Sequence, residues 1–276
     1  MPKAFRDPGH ERAIREDGFL VLDLFDQDDV AHLTRCFAAV DADHTGDFSA
    51  TALLDNVDCR RRVFTDVGAV LRRRILPLLD DYRIAIANFV AKRPQTEMST
   101  VAVHQDFTFF EDDEQPALTI WSPLVPTDAE NGWLGVLPGS HRFNPYYRAP
   151  GGLPYHDLSD LIEQRYLRFL PMRAGEVLLM DTRTFHGSPP NRSAQLRPVA
   201  GGVAIPRDAQ LLYCHRDQVG DERVVEVYAV PEDFYLHHDI GSRPRNGQLL
   251  RTVPRRVGEL SEAKLAAHWE AVCARA

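Results

Sequence analysis

The triplet His104-Gln105-Asp106, which ends an apolar strand-like run, offers two metal-ligand side chains at close spacing. In an extended strand, residues i and i+2 point to the same side, so the imidazole and the carboxylate can converge on one ion. By itself the pair is more typical of an ordinary hydrogen-bonded contact, and a metal site needs a third ligand. A face of two histidines and one carboxylate leaves three positions open, which suits iron(II) binding a co-substrate and O₂.

Spacing alone does not choose the third ligand among the later histidines, namely His141, His156, His186, His215, His237 and His238. His186 has the most favourable context, because it follows the strand-like run 177–181 and precedes Arg197 on the next predicted strand. A dicarboxylate that chelates iron with one end needs a cation for the other. Arginine supplies a bidentate fork that lysine lacks, so Arg197 is the candidate anchor.

Three segments resemble the phytanoyl-CoA dioxygenase family of iron(II)- and 2-oxoglutarate-dependent oxygenases. They are His104-Gln105-Asp106, NGWLGVLPGSH at 131–141 and DTRTFHGSPPNRSAQLRPV at 181–199. The resemblance covers roughly 84–206, and the helix, glycine and strand at 10–22 are similar as well. It implies a double-stranded β-helix (jelly-roll, cupin-like) core and an iron site made of His104, Asp106 and His186.

The resemblance also implies how the co-substrate is bound. Arg197 and Ser188 are expected to bind the distal carboxylate of 2-oxoglutarate. Trp121 is expected to line the co-substrate pocket or, alternatively, to be a core aromatic residue. Lys92 matches a position near the co-substrate, although a lysine facing solvent is an equal alternative. His141 corresponds to a loop residue rather than to a ligand.

The implied reaction is hydroxylation of a substrate, with O₂ consumed and 2-oxoglutarate converted to succinate and CO₂. Halogenating relatives have a small residue in place of the carboxylate, whereas Asp106 is present here. Desaturation, cyclisation and epimerisation remain open outcomes. Two alternatives are a cupin-like zinc hydrolase or isomerase, and a non-catalytic jelly-roll binding protein. Arg197 and Ser188 argue against the first, and the intact triad argues against the second.

The substrate is expected to be a small molecule, whether a secondary metabolite, an amino acid or an acyl compound. The stretch 213–245 mixes aromatic and polar residues, which suits a lid at the substrate entrance. Tyr235 and His237 are its candidate substrate contacts. The alternative is an edge strand and a surface loop packed on the core.

The predicted elements divide the chain into three parts of one domain, 1–276. Helices are predicted at 10–17, from Asp26 to about 40 and at 66–79, with a strand at 19–22, within a helical part of about 1–80. Short apolar β-branched runs predict the jelly-roll core at about 84–230, with Asn131-Gly132 as a two-residue hairpin turn. A helix at about 259–274, with Ser261 as a possible cap, closes the chain.

Composition restricts the classes of protein further. The 276 residues are 44% hydrophobic and 26% charged, and no apolar run approaches the ~18 residues of a membrane span. A net charge of −8 argues against general affinity for nucleic acid or anionic membranes. We expect a cytoplasmic protein with free thiols and an undetermined oligomeric state. The arginine runs 60–62 and 72–74 are expected on solvated helix faces.

Overall fold

The computed structural model describes residues 2–111, 114–150 and 155–275. Its helices are α1 Pro8–Glu16, α2 Gln27–Ala38, α3 Val57–Arg74, α4 Ser159–Arg165, α5 Phe234–His237 and α6 Glu262–Cys273. Its strands are β1 Phe19–Asp23, β2 Phe48–Ala50, β3 Tyr82–Lys92, β4 Val101–His104, β5 Leu118–Pro123, β6 Leu134–Val136, β7 Arg168–Leu170, β8 Glu176–Asp181, β9 His186–Ser188, β10 Arg197–Pro206, β11 Leu212–Val219, β12 Glu222–Ala229 and β13 Gln248–Pro254. Among the described residues, no helix is long and apolar enough to cross a membrane.

Polar caps set where the longer helices begin. Asp26 forms a capping box with Asp29 at the start of α2, and Ser261 Oγ accepts a hydrogen bond from the backbone N–H of Lys264 at the start of α6. Both starts agree with the predictions. Asn56 caps α3 in the same way, so this helix begins at Val57 and is longer than the predicted 66–79.

Two antiparallel sheets form the double-stranded β-helix that the sequence predicted. The large sheet has the strand order β1-β8-β5-β10-β3-β2, and the small sheet has the order β4-β9-β6-β7. Alternate residues of β8 pack on opposite sides of the large sheet, as the period of a strand requires. Leu179 belongs to the core shared with α1, α2 and α3, whereas Leu178 and Met180 pack with Leu134 and Val136 of the small sheet.

The predicted limits of the β core, 84–230, are not those of the structure. Strands β1 and β2 come from the predicted helical part and form the two edges of the large sheet. Strands β11 and β12 pair with β13 in a separate three-stranded sheet. Runs of apolar residues predict strands, but they do not specify the sheet to which each strand belongs.

The predicted hairpin at Asn131-Gly132 is wrong. Strand β5 pairs with β8 and β10, whereas β6 pairs with β9 and β7, so the intervening loop connects the two sheets. The carboxylate of Asp128 accepts hydrogen bonds from the backbone N–H groups of Glu130 and Asn131, which forms the turn. Gly132 follows with φ of +79° and packs so closely that a Cβ would lie 2.4 Å from the carbonyl oxygen of Pro189.

Candidate metal centre and co-substrate pocket

The structure brings His104, Asp106 and His186 together between the two sheets. His104 is the last residue of β4 and pairs in register with His186, the first residue of β9. Asp106 lies just beyond β4, where its backbone N–H donates to the carbonyl oxygen of Thr182 at 2.9 Å. The Nε2 atoms of His104 and His186 lie 3.7 and 3.8 Å from Asp106 Oδ1. One ligand atom from each residue lies within 4.8 Å of the others, close enough to share one ion.

Hydrogen bonds fix the orientation of the three side chains. The Nδ1 atoms of the two histidines lie 2.9 and 3.0 Å from the backbone carbonyl oxygens of Ala102 and Thr184. A carbonyl only accepts, so Nδ1 carries the proton and Nε2 of the neutral ring presents a lone pair. The hydroxyl of Thr119 donates to Asp106 Oδ2, which leaves Oδ1 facing the histidines.

Two of the three side chains are in the protonation state that binds a cation. Burial alone would lower the pKa of His104, but the hydrogen bond and charge of Asp106 raise it, so a cation would displace a proton from this ring. Burial and the neighbouring His104 lower the pKa of His186 to about 4, so its imidazole is neutral near pH 7. Burial alone would raise the pKa of Asp106, but His186, His104 and Thr119 together lower it, so the carboxylate is ionised. A neutral imidazole and an ionised carboxylate are the forms that bind a metal ion.

Arg197 places a guanidinium cation in the same cavity, where no described residue forms an ion pair with it. The residue is 2% exposed at the start of β10, and its Nε and Nη1 atoms have no hydrogen-bond partner among the described residues. Its guanidinium lies 5.4 Å from the centre of the Trp121 ring. Burial lowers its pKa to about 9, so the group is still charged near pH 7. An unpaired buried charge is costly, and an anionic ligand in the cavity could compensate it.

A cavity of about 370 Å³ connects the triad to Arg197. Trp121 and Ser188 line it together with apolar side chains from both sheets. In the structure Ser188 Oγ donates to the carbonyl oxygen of Gly132 at 3.0 Å. Donation to a carboxylate would therefore require the hydroxyl to rotate. A divalent cation at the triad and a dicarboxylate reaching Arg197 fit the donors and the charge that this cavity presents.

Lys92 lies behind this cavity and does not line it. The side chain is fully buried, and Nζ donates to the carbonyl oxygens of Ser188 and Pro189 at 2.9 and 2.5 Å. Lys92 pairs in register with Arg197 across β3 and β10. The alternative of a solvent-facing lysine is wrong, because the backbone of the loop after β9 covers the end of the side chain. Lys92 supports that loop.

The structure does not bring Tyr235 and His237 to the cavity. The hydroxyl of Tyr235 donates to the carbonyl oxygen of Leu212 at 2.8 Å, and its ring packs against Phe109 in a buried aromatic cluster. His237 is exposed, with Nε2 lying 3.6 Å from Asp233 Oδ2. The residue of this segment that lines the cavity is Ile240. The proposed substrate contacts therefore need correction: Tyr235 is a core residue, and His237 lies on the surface.

Two polar residues of the cavity were missed by the sequence reasoning. Thr119 orients Asp106, and Asn88 lines the cavity from β3. Thr119 lies two positions before Trp121 on β5, so the period of a strand could have placed both side chains on one face. No comparable pattern marks Asn88. His141 lies outside the cavity, with Nε2 donating to the carbonyl oxygen of Arg15 at 3.2 Å.

Comparison with known proteins identifies relatives of the part of the chain that contains the candidate site. The profile of the Phytanoyl-CoA dioxygenase (PhyH) family matches residues 14–199, which is more than half of the chain. A curated phytanoyl-CoA dioxygenase of Arabidopsis thaliana is 29% identical over 100 residues, covering 35% of each protein. A probable alpha-ketoglutarate-dependent hypophosphite dioxygenase of Stutzerimonas stutzeri is 28% identical over 154 residues, covering 52% of this chain and 54% of that protein. The matches thus span about a third and about half of these relatives.

Solved structures share the fold. The epimerase SnoN, crystallised with Fe3+, alpha-ketoglutarate and nogalamycin RO, superposes with a TM-score of 0.55 at 20% identity. The superposition covers 89% of this chain and 97% of that one. At this identity the likeness concerns the double-stranded β-helix and its arrangement of strands.

Proposed function

The chain belongs to the phytanoyl-CoA dioxygenase family, and from this premise we propose that it is an iron(II)- and 2-oxoglutarate-dependent oxygenase that hydroxylates a small molecule. The observation that carries the proposal is the buried guanidinium of Arg197, which has two unpartnered N–H groups and faces the same cavity as the triad. A zinc hydrolase does not require a buried cation for the far end of a dicarboxylate, so Arg197 favours the oxygenase. A binding protein would not need three oriented metal ligands beside it.

Each side chain has a defined task under this proposal. His104, Asp106 and His186 would hold the iron, and Arg197 would bind the distal carboxylate of 2-oxoglutarate through charge-assisted hydrogen bonds. Trp121 would pack beside the co-substrate, and Ser188 would add a hydroxyl contact. Iron(II), 2-oxoglutarate and O₂ supply the oxidising power when bound. The apolar walls exclude water, and the protein positions the reactants.

Hydroxylation is the outcome that we propose for this chain. One oxygen atom of O₂ enters a C–H bond of the substrate, and the other enters succinate as 2-oxoglutarate loses CO₂. The relatives are named for different outcomes, a dioxygenase and an epimerase among them. We also propose that residues 1–276 act as one catalytic domain, since α1, α2 and α3 share a core with the large sheet.

Anaerobic titration tests the assignment of the metal ligands. Iron(II) and 2-oxoglutarate added to the wild-type protein are expected to give a weak visible charge-transfer band. His186→Ala should lose the band and most of the iron affinity, because removing one ligand leaves an incomplete site on an otherwise preformed scaffold. His141→Ala is the matched control and should keep the band, because His141 lies outside the cavity. Near-normal iron binding by His186→Ala would contradict the assignment.

Co-substrate kinetics test the role of Arg197. Loss of a charge-assisted contact should cost on the order of 2–5 kcal/mol, so Arg197→Ala should raise the apparent KM for 2-oxoglutarate strongly. Arg197→Lys should recover part of the loss, because it restores the charge but not the two-pronged geometry. Turnover of 2-oxoglutarate is followed by release of succinate. An unchanged KM in Arg197→Ala would show that the distal carboxylate binds elsewhere.

A further inference from the structure

The floor of the cavity divides into two halves along β10. In the registered pairs of the large sheet, Gly201 of β10 lies opposite Trp121 of β5 on one side and opposite Asn88 of β3 on the other. The β5 side carries Trp121, beside Arg197, and Thr119, which orients Asp106. This side is occupied by the co-substrate and iron under the proposed function. The β3 side is therefore the half left for the substrate.

Apolar side chains form almost all of this second half. They come from β2 and the turn after it, from β3, from the segment after Asp106 and from the segment after α5, namely Phe48, Leu53, Ile86, Phe107, Phe109 and Ile240. Gly201 has no side chain between Trp121 and Asn88, so it adds only backbone to the floor of the cavity. Such a surface favours hydrocarbon over polar groups because its burial removes apolar area from water.

All the charged and titratable side chains of the described cavity lining already have a task. They are His104, Asp106, His186 and Arg197. Among the described lining residues, none is left to neutralise a carboxylate, phosphate or ammonium group on the substrate. Transfer of an unpaired charge from water into such a site is strongly unfavourable. The cavity therefore selects against a charge on the part of the substrate that enters it.

Asn88 is the polar exception in this half. Its side chain makes no hydrogen bond to another described residue, and Oδ1 lies 3.7 Å from the position that a Cβ would take on Gly201. A primary amide offers two N–H donors and a carbonyl acceptor. One such group in an apolar wall is the usual means by which a pocket fixes the orientation of a ligand.

We propose, on the basis of the oxygenase function above, that the substrate portion entering this cavity is uncharged and mainly hydrocarbon, and that the amide of Asn88 binds its one hydrogen-bonding group. The cavity of about 370 Å³ also has to hold 2-oxoglutarate. The remaining space suits a compact neutral molecule or the apolar end of a larger one. Asn88 is then the specificity-determining residue of the site.

Three matched ring compounds test the substrate class, namely cyclohexanecarboxamide, cyclohexanecarboxylate and cyclohexylmethylamine near pH 7.5. Each is titrated calorimetrically, without O₂, into the full-length protein loaded with iron(II) and 2-oxoglutarate. The neutral amide should bind about tenfold more tightly than either charged compound, or better. Equal binding of all three, tighter binding of a charged compound or no binding of the amide would overturn the proposal. Failure of the visible band to form in the loaded protein would instead refute the oxygenase function itself.

Variants of Asn88 test whether its amide binds the hydrogen-bonding group of the substrate. Asn88→Leu should weaken binding of the amide compound by about tenfold, because the hydrogen bond is lost in an apolar site. Asn88→Asp places a carboxylate there and should reverse the preference towards the amine. Asn246→Leu, at an exposed asparagine, is the control and should bind all three compounds as the wild type does. If Asn88→Leu loses the visible band, Asn88 serves the co-substrate, and the proposal is wrong. Unchanged selectivity in both Asn88 variants would also overturn it.

Discussion

Lys92 places its side-chain amine in the interior of the protein, so its contribution to the free energy of unfolding depends on pH. Burial and the charge of Arg197 lower its pKa to about 6, and Glu163 opposes this shift only partly. The unfolded chain keeps the proton up to about the ordinary value of 10.5. Between these two values the unfolded state binds more protons than the folded state, so the free energy of unfolding should rise with pH.

We expect the free energy of unfolding of Lys92→Met to rise less with pH than that of the wild type. Urea unfolding at about pH 6.5 and about pH 9 should show a larger gain in stability for the wild type than for Lys92→Met, because the variant has no proton to release. Lys264→Met is the matched control, since Lys264 is an exposed lysine and its removal should leave the pH dependence unchanged. The same slope in wild type and Lys92→Met would mean that Lys92 titrates as it does in the unfolded chain.

At individual positions, the sequence predicts a site residue well when its placement depends on residues close to it in the chain. It predicts poorly when the placement depends on how distant strands pair. The histidine and aspartate at 104 and 106 share a strand end, so their convergence follows from local geometry. The prediction for Arg197 depends on a chemical need, a cation for the far end of a dicarboxylate. Asn88 has no local feature that distinguishes it from a surface asparagine. Its place in the cavity comes from the pairing of β3 with β10, which the sequence does not specify.

Arg60 connects three elements at the mouth of the cavity. From the first turn of α3 its Nη1 donates to the carbonyl oxygen of His238 at 2.9 Å, and its Nε donates to that of Leu54. Leu53 and Ile240, next to these contacts, line the cavity from opposite segments. Arg60 is 3% exposed, so the prediction of a solvated helix face for residues 60–62 is wrong at this position. Its role is to hold the two rim segments in place.

Hydrogen exchange tests this role of Arg60. Arg60→Met should accelerate amide exchange in residues 51–54 and 238–242, because each lost hydrogen bond to a charged group contributes about 1.5–3 kcal/mol. The neighbouring Arg61 is exposed and pairs with Asp58 on the same helix, so Arg61→Met should leave exchange in both segments unchanged. Protection of both segments in Arg60→Met equal to that in the wild type would show that other contacts fix the rim.

The elements themselves were predictable where capping and periodicity act within a short segment. The helix predicted from Asp26 begins at Gln27 with Asp26 as its cap, and Ser261 caps the last helix as predicted. The turn at Asn131-Gly132 contains hairpin residues, yet the strands on its two sides belong to different sheets. Turn-forming residues determine where the chain reverses direction, but they do not determine which strands pair with those on either side of the turn. The same limit explains why β1 and β2 were not assigned to the large sheet.

In the molecule as a whole, the main hydrophobic core and the candidate site lie on opposite faces of the large sheet. The outer face packs against α1, α2 and α3 in the largest hydrophobic core cluster of the described residues. The inner face shares the cavity with the small sheet and includes the unpaired charge of Arg197. The stabilisation from packing on the outer face can offset the free-energy cost of the buried charge on the inner face while no ligand is bound. Such a distribution is typical of proteins whose functional sites reduce stability.

Replacement of Arg197 by an apolar residue should therefore stabilise the ligand-free protein while removing its response to co-substrate. Arg197→Met leaves the cavity shape similar and removes two buried N–H groups without partners, each group costing about 1–3 kcal/mol. We expect its urea midpoint, without iron or 2-oxoglutarate, to lie above that of the wild type. In protein already loaded with iron(II), 2-oxoglutarate at about 100 times its Kd should stabilise the wild type by about 2.7 kcal/mol.

Under the same anaerobic conditions the difference in the free energy of unfolding should shift by about 2.7 kcal/mol in favour of the wild type, because Arg197→Met gains little from 2-oxoglutarate. Arg192→Met is the control, since Arg192 is exposed and pairs with Glu97, and it should respond to the co-substrate as the wild type does. A ligand-free Arg197→Met less stable than the wild type would show that the contact of Arg197 with Trp121 outweighs the missing hydrogen bonds. A full response of Arg197→Met to 2-oxoglutarate would show that the unpaired guanidinium is not the co-substrate anchor.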